Sequence, residues 1–318
     1  MEIRRNNYDV SNSVDTTDPG AVRQEVGRIF QALYPDVSLQ LIDRSFADVT
    51  RLFHGEYPGY HACDTSYHNL QHTLDVTLAM ARLMDGYERA RNRPEPIGSR
   101  LFGFGIIAAL LHDIGYLRHV NDTRHDNGAE YTLRHVSRSA RFIEHYMQRI
   151  GMSDLAPAAR QIVHFTGYER EVERIKVPSL MFRMLGNMLG TADIIAQMAD
   201  RCYLEKCRDR LFPEFVAGGL AARDENDSRH SVVFRSVEEL LLKTPMFYRT
   251  ATVRLNEKLG ATYDYAENHF GGRNLYLEEI GKNIRYATEI AKQHDLSLLR
   301  RHPPEARDEA MAAAVNVF

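Results

Sequence analysis

The sequence predicts an all-α protein, a single multi-helix bundle with a helical extension towards its C-terminal end. Three observations carry that reading. Apolar residues recur at spacings of three and four along most of the 318 residues, which is the period of a helix face. No strand-like alternation of apolar and polar residues persists, and there is no internal repeat. The interruptions are short and rich in Gly, Pro, Asn and Asp, the residues that turn a chain.

Taken in order, residues 1–20 are polar and aperiodic and are expected to be flexible. A helical body is read over 21–300, with a metal core at about 60–220, a helical annex at about 232–300 that closes over the pocket, and a tail at 301–318. Val22, Val26, Ile29, Phe30 and Leu33 form the first apolar stripe, and a second follows over 39–53. A turn-rich link leads to a helix expected to start near Asp64 or Thr65, which are good N-cap residues, and to run through His68 and His72 to about Arg91. The longest apolar run, Leu101 to Leu111, is eleven residues, far short of the ~20 of a membrane span. It is read as a buried helix that delivers His112-Asp113 at its C-terminal end. Further helices are expected over 129–149, 156–164, 178–198, 200–215, 237–242, 248–259 and 275–293, with a charged loop at 223–231.

Composition narrows the function. Hydrophobic residues make up 44% and charged residues 26%, ordinary for a globular protein. The formal net charge of −3 gives no global case for nucleic acid. Cys63, Cys202 and Cys207 form no C-x-x-C pair, which argues against a disulfide framework or a thiolate zinc knuckle. With no apolar stretch behind the N-terminus, the expectation is a cytoplasmic protein with no membrane partner.

The chemistry concentrates in two segments. Residues 67–76 read Tyr-His-Asn-Leu-Gln-His-Thr-Leu-Asp-Val, with His68 and His72 four apart and Asp75 three further on. On a helix these share a face. Forty residues beyond His72 comes the adjacent pair His112-Asp113. Asp193 sits in an apolar helical stretch, where a carboxylate needs a partner or a metal. Imidazole and carboxylate groups suit a hard or borderline divalent ion. Each of these residues alone reads as a packed histidine or a capping aspartate, but the spaced set reads as a metal site.

His72, His112-Asp113 and Asp193, in that order on helices, resemble the signature of the HD-domain metal-dependent phosphohydrolases. Residues 67–76 resemble more narrowly the Y-H-N-x-x-H-A-x-D-V segment of the class I cyclic-nucleotide phosphodiesterases, with Thr73 in place of the family's small residue. Asn127-Gly128-Ala129-Glu130 is similar to that family's N-D-E stretch, Ala192-Asp193-Ile194 to its A-D-L, and residues 208–215 to its following helix. The resemblance covers about 60–220 and implies a phosphodiesterase-like bundle. It implies that His72, His112, Asp113 and Asp193 hold a first metal, typically zinc, and that Asp113 bridges to a second, magnesium or manganese. It further implies hydrolysis of a 3′,5′-cyclic nucleotide by a metal-bridging hydroxide, with His68 as general acid and Glu130 supporting His68 or a metal-bound water. Tyr67, Asn69 and Tyr116 stand where they would line the substrate pocket, and Arg273, in a Gly-Gly-Arg turn, could reach a phosphate. The expected partner is a small-molecule nucleotide, with a homodimer allowed.

The departures concern specificity. Tyr116 stands where the family has a further histidine, Ala196-Gln197 where it has Asn-Pro, and no glutamine lies between Gln197 and Gln293 to clamp a purine. Two additional histidines, His135 and His164, give the order H…HD…H…H…D, which is similar to binuclear HD proteins in which both bind the second metal. That opens three alternatives: a di-iron oxygenase, with iron as the metal, a cyclic-dinucleotide phosphodiesterase, or a non-catalytic nucleotide-sensing domain.

Overall fold

Leu70–Arg89 forms a helix buried around most of its circumference, and the other elements are arranged about it. The computed structural model describes residues 4–224, 227 and 232–304, and among these residues there are helices and isolated bridges but no strand. In chain order the α-helices are α1 (Pro19–Leu33), α2 (Gln40–Phe53), α3 (Leu70–Arg89), α4 (Gly98–Leu111), α5 (His135–Arg149), α6 (Ala156–Ile162), α7 (Leu180–Ala199), α8 (Tyr203–Lys206), α9 (Phe212–Ala217), α10 (Val237–Val253), α11 (Tyr265–His269) and α12 (Leu275–Gln293). Helix α3 packs on α1, α4, α7 and α11, while α12 joins α7 to α10. The loop read at 223–231 and the tail read at 301–318 lie partly outside the described residues.

Apolar length explains the centre. From Phe102 to Leu111, α4 is fully buried, and each large side chain there contributes about 1.5–3 kcal/mol of transfer free energy. Such a helix can carry a polar pair at its end into the interior. The contact of α3 with α11 is close enough to need glycine, since a Cβ on Gly86 would fall 1.7 Å from the Tyr265 carbonyl oxygen. No helix among the described residues is long and apolar enough to cross a membrane.

Several expected boundaries move. Helix α3 starts at Leu70 rather than near Asp64, because Asn69 is its N-cap and accepts from the His72 amide at 3.2 Å. His68 therefore precedes the helix. The stretch 129–149 is two elements, because Asn127 and Glu130 close a capping box around the short turn Gly128–Tyr131 and α5 begins afresh at His135. Helix α10 runs through Pro245, joining two segments that read as separate.

The largest revision concerns the N-terminal segment, expected to be flexible. Asp9 is buried and accepts from Arg82 of α3 at 2.5 Å, from the Ser13 and Val14 amides at 2.9 and 2.8 Å, and from the Ser11 amide at 3.0 Å. Arg82 is itself buried, reaches the Tyr276 hydroxyl of α12 at 3.3 Å and lies over the Phe270 ring. One ion pair thus ties residues 9–14 to α3 and α12. The segment looked mobile because its polar residues satisfy a partner distant in sequence.

Burial alone would raise the Asp9 carboxyl, but Arg82 and the surrounding N–H and O–H donors outweigh it and hold the group well below the usual carboxylate range. A depressed carboxylate stabilises the fold above its unfolded pKa, and the contribution disappears as pH falls towards the folded value. Asp9→Ala is expected to cost about 3–5 kcal/mol, because it leaves Arg82 buried without a counter-charge. Urea unfolding at pH 7 measures that loss. The difference between wild type and variant should shrink as the pH is lowered below about 4.

Candidate metal centre

Three core helices bring four side chains to one point. His72 lies in the first turn of α3, His112 and Asp113 follow the last turn of α4, and Asp193 projects from the middle of α7. His72 Nε2 is 3.3 Å from Asp113 Oδ2 and 3.4 Å from Asp193 Oδ1. His112 Nε2 is 3.1 Å from Asp113 Oδ2 and 3.9 Å from Asp193 Oδ1. His72, His112 and Asp113 each offer a ligand atom within 4.8 Å of the others, and all three residues are buried.

The donor chemistry fits a cation. His112 Nδ1 faces the Ala109 carbonyl oxygen at 2.8 Å, which makes it the N–H donor and leaves the Nε2 lone pair on Asp113. The buried Nε2 atoms of His72 and His112 have no hydrogen-bond partner. Buried lone pairs aimed at carboxylate oxygens need a proton or a metal ion between them. Burial opposes charge on His72, yet Asp113 and Asp193 overcome it and raise its pKa to about 10. Burial likewise opposes ionisation of Asp113, but the adjacent imidazoles, His112 foremost, hold it well below the usual carboxylate range.

Asp113 also faces a second way. Its Oδ1 is 3.5 Å from Nε2 of His135, the first residue of α5. His135 Nδ1 donates to the Thr132 carbonyl at 2.7 Å, and burial pushes its pKa down, so a neutral ring presents the Nε2 lone pair to the carboxylate. One carboxylate thus has one oxygen towards His72 and His112 and the other towards His135. Gly115 permits this close approach of the turn after Asp113 to α5, since a Cβ there would lie 1.9 Å from the His135 carbonyl oxygen.

His68 stands beside this group on a separate support. Its Nδ1 makes a short hydrogen bond to Glu214 Oε1, while the other carboxylate oxygen accepts from the Tyr67 amide at 2.8 Å and the His68 amide at 3.2 Å. Burial would raise the Glu214 carboxyl, but His68 and the two amides outweigh it, so the group stays anionic. Tyr116 is buried and stacks on both His68 and His135 at centroid distances of 4.5 and 4.3 Å, and those two rings are 6.2 Å from each other.

A cavity of about 460 Å³ opens onto these residues. His68, Tyr67, Asp113, Tyr116, His135 and Asp193 line its polar end. Ile194, Leu211, Phe215, Phe234, Leu240 and Phe247 line the other, where Phe215 and Phe234 lie parallel with centroids 5.9 Å apart. Gln197, one turn beyond Asp193, also lines the cavity and accepts from the Tyr67 hydroxyl at 3.4 Å.

The other expected site residues fall elsewhere. Glu130 is exposed and accepts from the Asp126 and Asn127 amides at 2.8 and 3.1 Å, so it caps a turn and does not support His68. Asn69 caps α3 and donates to the Ser66 carbonyl. Arg273 is exposed and paired with Glu278 at 2.6 Å, and it does not line the cavity. His164 is buried with its Nδ1 unpartnered and its pKa pushed down to about 4 by burial, and it is not among the residues that line the cavity. Asp75 lies by a separate small cavity with Gln71 and Asp200. Glu214 was overlooked. Its one sequence signal was a carboxylate between Phe212 and Phe215 in an apolar-patterned stretch.

No protein-family model, curated protein or solved structure matches the chain.

A divalent ion titrated into chelator-treated protein should bind, raise the melting temperature, and lose both effects in His112→Ala and Asp113→Asn. Binding displaces the His72 proton, so apparent affinity should fall by about tenfold for each pH unit of acidification below 10 per proton released. Calorimetric titration at several pH values measures the slope. Equal affinity at pH 6 and pH 8 would contradict metal ligation by His72.

Proposed function

We propose that the chain is a metal-dependent phosphodiester hydrolase, with a 3′,5′-cyclic nucleotide as the expected substrate class. The observation that carries this reading is the division between His72 and His68. One imidazole faces the carboxylates of Asp113 and Asp193, while the other is tethered by Glu214 and opens onto the same cavity. A purely metal-binding site has no use for a second histidine oriented by its own buried carboxylate.

His72, His112, Asp113 and Asp193 would hold one ion, for which zinc suits the two-nitrogen, two-oxygen set. Asp113 and His135 would share a second, magnesium or manganese in this reading. Divalent ions there would supply Lewis acidity at the phosphoryl oxygens and a deprotonated water at neutral pH.

The chain's own residues account for the remaining steps. Glu214 accepts from His68 Nδ1–H, which fixes the ring's orientation and directs Nε2 as the proton donor to the departing ester oxygen. The buried carboxylate also complements an imidazolium. Tyr116 restrains the ring from its flat side. The apolar side chains of the cavity suit a ring-bearing organic group, and Gln197, Lys243 and Thr244 are polar groups in the same lining.

Metal-replete protein is expected to hydrolyse at least one compound in a screen of cyclic mono- and dinucleotides, and chelation should abolish turnover. His68→Ala should lower kcat by about 10²–10⁴-fold, and Glu214→Gln by about tenfold or more. Both variants should keep the metal content of wild type. Fully metallated protein that turns over no phosphodiester would overturn the reading.

A further inference from the structure

A second recess lies behind the metal centre. It is a groove of about 360 Å³ between α5, the turn after His112-Asp113 and the link after α2. Arg138, Arg141, His145 and Arg149 enter it from one stripe of α5, and no carboxylate is among the residues that line it. Exposed cations on a helix are ordinarily matched by acids three or four residues away. Here the one acid so placed, Glu144 three residues after Arg141, is paired with Arg160 at 2.9 Å, while His145 stands four residues after Arg141 and Arg149 four after that. Neither Arg141 nor Arg149 has a carboxylate partner among the described residues, although other surface arginines are paired, such as Arg100 with Asp154 and Arg160 with Glu144. Asp48, the acid that accepts from Tyr146 beside the groove, is taken up by Arg44.

The walls are aromatic. Tyr57, Tyr60, Phe142 and Tyr146 line the groove, with Tyr60 and Phe142 half-buried and in edge contact at 5.7 Å. Arg149 lies over the Tyr57 ring at 5.5 Å. Guanidinium groups recognise phosphate, and flat rings recognise flat rings. Arg138 differs from the other two arginines because it donates to the Gly115 and Leu117 carbonyls at 2.6 and 2.8 Å and so forms the floor.

We propose that this groove is a second binding site, separate from the catalytic cavity, for a small phosphorylated ligand that carries a flat ring, the chemistry of a mononucleotide. Arg141, His145 and Arg149 receive the phosphate, and Tyr60 and Phe142 receive the ring. The floor contacts Gly115, two residues from Asp113, so occupancy of the groove bears on the turn that aims the metal-facing carboxylate. The proposal does not depend on which reaction the cavity performs.

The test is calorimetric titration of the full chain, kept under chelator, with adenosine 5′-monophosphate, inorganic phosphate and adenosine as probes. The monophosphate is expected to bind, and Arg141→Ala/Arg149→Ala should weaken it by at least about tenfold without changing the melting temperature. Phe142→Ala should weaken the monophosphate and leave inorganic phosphate unaffected. Asp193→Ala, which alters the cavity and the candidate metal group but no residue that lines the groove, should leave monophosphate binding intact. Three results would overturn the proposal: no binding at millimolar probe, equal binding by wild type and the double arginine variant, or inorganic phosphate binding as tightly as the monophosphate.

Discussion

Buried lone pairs that point at one another constrain the whole centre of this protein. Two imidazole nitrogens and the oxygens of two aspartates meet inside the bundle with no hydrogen bond between them. That arrangement is repulsive unless a positive charge lies within it. A proton on His72 meets the requirement in part, as its raised pKa indicates. A divalent ion meets it more fully, because it engages all four groups at once. The four groups come from α3, α4 and α7, so the same charge would also tie together the three helices around which the remainder packs.

The neighbouring imidazoles differ in what holds them, and backbone position accounts for the difference. His72 is committed to its direction by the register of α3, whose N-cap is only three residues earlier. His68 lies before that cap, where its ring is free of the helix and is oriented by Glu214 from α9, a residue 146 positions distant. Tyr116 then stacks on both His68 and His135, whose own rings lie 6.2 Å apart beside it. A single aromatic ring thus braces both a histidine supported by a carboxylate and a histidine facing one.

This arrangement explains what was legible in the sequence. His72, His112, Asp113 and Asp193 could be read because each interrupts or terminates an apolar helical pattern, and the burial of that pattern is a local property. The all-α class followed from the same periodicity. Glu214 and Glu130 show the limit. Both are glutamates near helix starts, and only tertiary contact makes one a buried partner of His68 and the other a capping residue. Arg273 was attractive for its flexible turn, but Glu278 lies five residues away and satisfies it locally. The N-terminal segment was misread for the converse reason, since its polar residues are satisfied by Arg82, which belongs to the core.

The turn Ile114–Tyr116 is where these threads meet. Asp113 precedes it and Tyr116 ends it, so the Asp113 carboxylate and the ring beside His68 are set by the same few backbone angles. Its amide side is held by Ser139, whose hydroxyl accepts from the Gly115 N–H at 2.9 Å, and its carbonyl side by Arg138. Both clamps belong to the first turn and a half of α5, as does His135. A shift of α5 along its axis would therefore displace His135, Asp113 and Tyr116 together and could not move one alone. The spacing between the Asp113 carboxylate and the cavity histidines is consequently a property of one helix–turn contact, and the close approach at Gly115 leaves no room in that contact for a side chain.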